Sequence, residues 1–107
     1  MTNGSLTPSH TEKMKRSILQ TEKECYICHT TANLVTHHVF FGVSNRKLSD
    51  QDGCVVYLCV DHHTGAHGIH THRETDLKLK RTMQTRWMEY YNKNIDDFIR
   101  RYGKSYL

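Results

Sequence analysis

The spacing of apolar and polar positions changes period along this chain. Residues Leu34 to Phe41 are rich in apolar and β-branched side chains, which predicts a strand. Cys54-Val-Val-Tyr-Leu-Cys59 predicts a second short strand. Gly42 to Gly53, between them, is polar and predicts a turn-rich loop. Residues 61–72 read as irregular or as the beginning of a helix. From Glu74 the period lengthens: Leu79, Met83, Trp87 and Tyr91 recur at every fourth position, the apolar stripe of a helix ending at Tyr91. A last short helix follows. Asn94 is its expected N-cap, with Asp97 three residues on; Ile95, Phe98, Ile99 and Tyr102 form its apolar side, and Gly103 stops it. Upstream, Thr11 as N-cap with Met14, Ile18 and Leu19 on one side predicts a short helix over residues 11–21. Residues 1–10 hold the only Pro and no periodicity, and are expected to be disordered. Strands first and helices after them predict a small α+β domain.

Composition adds a constraint. A chain of 107 residues is one domain by size, and its hydrophobic content of 36% is low for a globular protein. So thin a core often needs a metal staple. The opening Met1-Thr-Asn-Gly-Ser-Leu-Thr-Pro8 is polar, which predicts no secretory leader, and no stretch approaches transmembrane length. A reducing cytoplasmic compartment and no membrane partner are therefore expected. The net charge of +4 is unevenly spread: residues 73–107 carry nine basic and five acidic side chains, an excess of four, whereas residues 25–72 carry two basic and three acidic. A polyanionic partner fits that basic C-terminal third; so does an ordinary solvated helix face.

The chemistry lies in four Cys and nine His, all but His10 falling between Cys25 and His72. Cys25-Tyr-Ile-Cys28 and Cys59-Val-Asp-His62 are two pairs, each with two intervening residues. Two tight turns of that spacing can aim four ligands at one tetrahedral ion, and Zn²⁺ suits a Cys₃His set. In a reducing compartment this reading precedes that of two disulfides. Cys54 falls outside the pattern and reads as a small apolar strand residue. A second set comprises His37, His38, His63 and one of His67, His70 or His72. Adjacent histidines on a strand point to opposite faces, so one can bind a metal while the other meets a substrate. An open metal with a free imidazole beside it suits metal-assisted hydrolysis.

Cys-x-x-Cys, then His-His-Val at a strand end, then Leu-Cys-x-x-His-His before a helix resembles the layout of HNH endonucleases with a zinc knuckle. The resemblance spans about residues 18–107. Gly42-Val-Ser-Asn45-Arg46-Lys47, Asp76 to Lys80 and the Tyr102 to Leu107 tail are similar to small phage and prophage members. It implies a ββα-metal finger, with residues 1–17 as a flexible N-terminal segment and 18–107 as the nuclease domain with a C-terminal helical extension. It implies a DNA endonuclease of the nicking kind, working in the cytoplasm of a bacterial host cell. Its cofactors are expected to be a structural Zn²⁺ on Cys25, Cys28, Cys59 and His62, and a divalent catalytic ion (Mg²⁺, Mn²⁺, Ni²⁺ or Zn²⁺). By the resemblance, His37 and His63 ligate that ion and His38 is the general base. The general family pattern places the last ligand at His67; the small phage type places it after Gly68-Ile69, at His70, which is the expected one. The partner is DNA, with Arg46, Lys47, Lys78, Lys80, Arg81 and Arg86 as expected phosphate contacts, as a monomer or homodimer and alongside other phage proteins. Cys54 stands where the family usually has its middle Asn, and Asn45 is the candidate to replace it from the loop. Without that Asn, the other readings are a non-catalytic zinc module that binds nucleic acid or a protein, and a phage protein that docks on a host enzyme through the Trp87-Met88-Tyr90-Tyr91 cluster.

Overall fold

A computed structural model describes residues 17–107. Among these residues two strands form, β1, Leu34–His38, and β2, Val55–Cys59, paired antiparallel with His37 opposite Val56 and His38 opposite Val55. Helix α1, Asn45–Asp52, lies between them in sequence. One helical turn, α2, Val60–His63, leaves the end of β2, and a 3₁₀ turn at Ile69–Thr71 leads into α3, Arg73–Tyr91, and then α4, Ile95–Tyr102. This is the small α+β architecture expected from the sequence.

The two long-period segments form as expected. Leu79, Met83 and Trp87 are buried on one side of α3, and left-handed Asn92 ends it. The N-terminus of α4 carries a full capping box: the Asp97 N–H donates to Asn94 Oδ1 at 2.9 Å, and the Asn94 N–H donates to Asp97 Oδ2 at 3.0 Å. Phe98 and Tyr102 are buried, while Ile95 and Ile99 stay partly exposed at its edge. Trp87 therefore belongs to the core, not to a docking patch, and Tyr91 is half-buried, its hydroxyl donating to the Asp52 carbonyl at 2.7 Å.

Three expectations are corrected. Residues 42–53 are not all loop, because α1 occupies most of them. Its inward positions are Asn45, Leu48, Ser49 and Asp52, a helical spacing filled almost wholly by polar side chains, so no apolar stripe betrays it. Strand β1 ends at His38 instead of Phe41. Ser49 takes over the backbone of Phe40 there: its Oγ donates to the Phe40 carbonyl at 2.7 Å and accepts from the Phe40 N–H at 3.1 Å. Residues 17–21 are not helical; Ile18 is buried there, and the rest of the expected helix over residues 11–21 lies outside the described residues.

Asp52 joins α1 to both C-terminal helices. Its carboxylate accepts from Trp87 Nε1 at 2.8 Å, from Tyr102 Oη at 2.8 Å, and from Arg101 Nε and Nη2 at 2.6 and 2.8 Å. Four donors on one buried acid leave little of its charge unpaired, and removing it strands them. Asp52→Ala is expected to cost on the order of 3 kcal/mol, read as a lower urea midpoint at unchanged slope.

Candidate metal centres and the histidine cleft

The first centre forms where the N-terminal knuckle meets the end of β2. Cys25 closes a turn by accepting from the His29 N–H, and the Tyr26 N–H donates to the Tyr57 carbonyl at 2.8 Å, which pins the knuckle to β2. Cys59 ends that strand, and α2 carries His62 one turn on. The Cys28 and Cys59 sulfurs are 3.8 Å apart, Cys59 Sγ is 3.3 Å from His62 Nδ1, and Cys25 Sγ is 3.8 Å from the same nitrogen. Sulfurs on a tetrahedron about one zinc stand about 3.8 Å apart. The four expected residues thus converge into a group able to hold a metal ion, of a composition compatible with zinc.

The electrostatics favour a cation. Burial opposes ionisation of Cys25, but backbone hydrogen bonds from Cys28, Cys59 and Ile27 outweigh it and lower its thiol to about 6. Cys28 is held above its ordinary value: the backbone at Thr30 favours its thiolate, but desolvation and the neighbouring Cys25 and Cys59 sulfurs oppose it more. Crowded thiols resist becoming thiolates together until a positive ion lies between them. Cys54 is outside the group, as expected. Burial pushes its thiol up to about 12, so it is an inert core residue, with Tyr102 Oη 3.6 Å away.

The second centre starts from the residue next to His62 on the same short turn. His62 and His63 are neighbours on α2 but serve different clusters, because successive helix residues project about 100° apart. His63 meets His37 from β1 and His70 from the 3₁₀ turn, with ring centroids 5.3 and 4.7 Å from its own. Gly68 makes this possible: a Cβ there would lie 2.7 Å from the His63 carbonyl oxygen, so only glycine lets the chain double back and face His70 to His63.

His63 Nε2 and His70 Nε2 are 3.2 Å apart. That separation suits a hydrogen bond as well as two ligands of one ion. His37 favours the second: its Nε2 is buried without a hydrogen-bond partner, and one of its ring nitrogens lies within 4.8 Å of those of His63 and His70. An orphaned buried nitrogen is costly unless something binds it. Desolvation first, then the nearby His63, His70, His38 and Lys80, lower the His37 imidazole to about 3. Desolvation also lowers His63. Neutral imidazoles are the form that ligates metals. Three convergent nitrogens fit a divalent transition ion with open positions better than Mg²⁺, which prefers oxygen.

The cleft over this cluster has a volume of about 170 Å³ and is lined by Thr36, His37, His38, Phe41, Arg46, His63 and His70. His67 lies elsewhere, exposed and paired with Asp61 at 3.0 Å, and His72 Nδ1 bonds the Gly68 carbonyl at 2.8 Å. Of the three candidates for the last ligand, the fold brings His70 to His37 and His63.

Asn45 does not reach His38. Its side-chain amide donates to the Tyr102 carbonyl at 3.1 Å, which ties α1 to the C-terminus of α4. Instead Asp50, also on α1, contacts His38 Nε2 at 2.7 Å. Sequence reasoning missed Asp50. No spacing rule links it to His38, because the contact depends on a helix that the residue pattern hides.

The six expected phosphate contacts divide. Arg46, Lys47, Lys78 and Arg81 are exposed, and Arg46 opens onto the histidine cleft. Arg81 Nε donates to the Tyr106 carbonyl, and the half-buried Arg86 donates to the Ile18 carbonyl at 2.7 Å. Lys80 does not join the open basic face. It is buried, paired with Asp76 at 2.9 Å, and lies 4.0 Å over the Phe41 ring. An acid and an aromatic face compensate its lost hydration, so it supports the cleft from behind.

Fold and sites together define a small α+β protein with, among the described residues, one mixed Cys/His group and one all-His group, each able to hold a metal ion. Compared with known proteins, the chain matches no family model, no curated protein and no solved structure. Among the described residues, no helix is long and apolar enough to cross a membrane.

Proposed function

We propose that the protein is a metal-dependent DNA endonuclease of the HNH class, with a ββα-metal finger held by a structural zinc. The observation that carries this reading is the convergence of ring nitrogens of His37, His63 and His70 within 4.8 Å of one another, with His37 Nε2 buried and unpartnered, beside a further histidine in the same cleft. The chain order also supports it: two antiparallel strands are followed by the turn that carries His62 and His63.

His37, His63 and His70 would hold the catalytic ion, which when bound supplies positive charge to the phosphate and to the departing 3′ oxygen. His38 accepts a proton from water as the water oxygen attacks phosphorus and the P–O3′ bond breaks. Arg46, at the cleft mouth, pairs with a phosphate oxygen and sets the strand in place. One such cleft per chain cuts one strand, so a monomer nicks. Supercoiled plasmid incubated with Mg²⁺, Mn²⁺, Ni²⁺ or Zn²⁺ tests this reading by conversion to the open circle. Binding without cutting under every metal would favour a zinc-stabilised binding module instead.

Duplex binding should be electrostatic and largely indifferent to sequence. The exposed cations Arg46, Lys47 and Lys78 motivate this expectation. Log affinity should fall linearly with log salt, and Lys78→Ala should reduce the slope by about one. An affinity unchanged between low and high salt would remove phosphate contact as the main source of binding.

A further inference from the structure

Helix α1 delivers two side chains to the histidine cleft from one face. Arg46 lines the cleft, and Asp50, four residues on, contacts His38 Nε2 at 2.7 Å. The adjoining face of α1 is tied to the body of the protein by Asn45, Ser49 and Asp52. Asp50 is therefore held on a docked helix and not on a mobile loop. His38 itself is mostly buried, with a side-chain exposure of 15%, against 33% for Asp50.

We infer that Asp50 is the positioning residue for His38: its carboxylate holds the proton on Nε2 and leaves the Nδ1 lone pair free to take a proton from the attacking water. The inference rests on the nuclease reading for its consequence, though not for its geometry. A carboxylate can only accept. A neutral imidazole bonded to it through Nε2 must therefore carry its hydrogen on that atom, and the other ring nitrogen must be the base. The same contact fixes the plane of the ring. Asp50 touches neither substrate nor ion in this arrangement, and it acts through His38 alone.

Asp50→Asn separates this role from a merely structural one. Asn is isosteric and can keep a hydrogen bond, so a packing role survives the change. But its amide can also donate to Nε2, which stabilises the wrong tautomer. The test uses the full-length, zinc-loaded protein with histidine ¹⁵N labelling and measures two quantities. Long-range ¹⁵N NMR reports which nitrogen of His38 carries the proton, and plasmid nicking reports kcat and KM. Wild type should show the Nε2–H tautomer. Asp50→Asn should show a substantial Nδ1–H population, with kcat lower by about 10–100-fold, KM little changed and zinc content intact. A wild-type His38 with its proton on Nδ1, or an Asp50→Asn protein with both the wild-type tautomer and the wild-type kcat, would overturn the inference. If wild type nicks no plasmid with any metal, the nuclease reading falls by itself, and the tautomer measurement still decides what Asp50 does.

Discussion

Plasmid incubated with the His38→Ala protein and a divalent metal is expected to stay supercoiled while wild type nicks it. A general base contributes about 10²–10⁴-fold, and none of the other cleft histidines can substitute for it. His37, His63 and His70 face one another as a group able to hold an ion, so their lone pairs are committed there. His38 is instead bonded through Nε2 to Asp50, which leaves one ring nitrogen free. The fold should not suffer, because the His38 side chain lies at the cleft and not in the hydrophobic core. Zinc content and the thermal midpoint of the variant should therefore match wild type. His37→Ala, His63→Ala and His70→Ala should lose activity by a different route. They weaken the hold on the ion, so excess metal should restore part of their rate. No metal concentration should restore His38→Ala. Wild-type cutting by His38→Ala would mean that the base lies elsewhere.

The Cys25→Ser protein is expected to lose its zinc and unfold. Structural zinc sites of this kind contribute about 10–16 kcal/mol of apparent binding free energy near neutral pH. Domains of this size are stable by only about 5–15 kcal/mol, so the fold cannot spare the ion. The dependence is topological as well as energetic. The knuckle, the end of β2 and α2 meet at the four ligands, and α2 also positions His63. Loss of zinc should therefore disable the histidine cleft along with the fold. Cys54→Ser is the control: Cys54 is equally buried but outside the ligand group, so one zinc per folded chain should remain. Elemental analysis and far-UV circular dichroism report both outcomes. A folded wild-type protein without zinc would refute the structural role.

Much of this was legible in the residues before any coordinate. The paired Cys25/Cys28 and Cys59/His62 spacings are local rules of turn geometry, and the structure converges those four residues. The stripe of Leu79, Met83 and Trp87 and the Asn94/Asp97 capping box are also local, so α3 and α4 appeared almost where they were expected. The resemblance to HNH nucleases pointed to His37, His63 and His70, and these three are the histidines brought together.

Other features required the fold. Helix α1 docks through Asn45, Ser49 and Asp52, whose partners lie 57, 9 and up to 50 residues away in the chain. A hydrophobic pattern cannot announce a helix whose inward face is polar, because that pattern records burial of apolar surface and not satisfaction of hydrogen bonds. The burial of Lys80 was hidden for a similar reason. A lysine reads as surface until Asp76 and the Phe41 ring are seen to surround it. The sequence by itself determined the ligand types, their local spacing and the helices with apolar stripes, since each depends on residues within a turn or two. Only the tertiary structure decided that Asp50 meets His38 and that His70 stands with His37. Those contacts depend on where separate segments dock, and docking is set by the sum of many distant contacts that no local window contains.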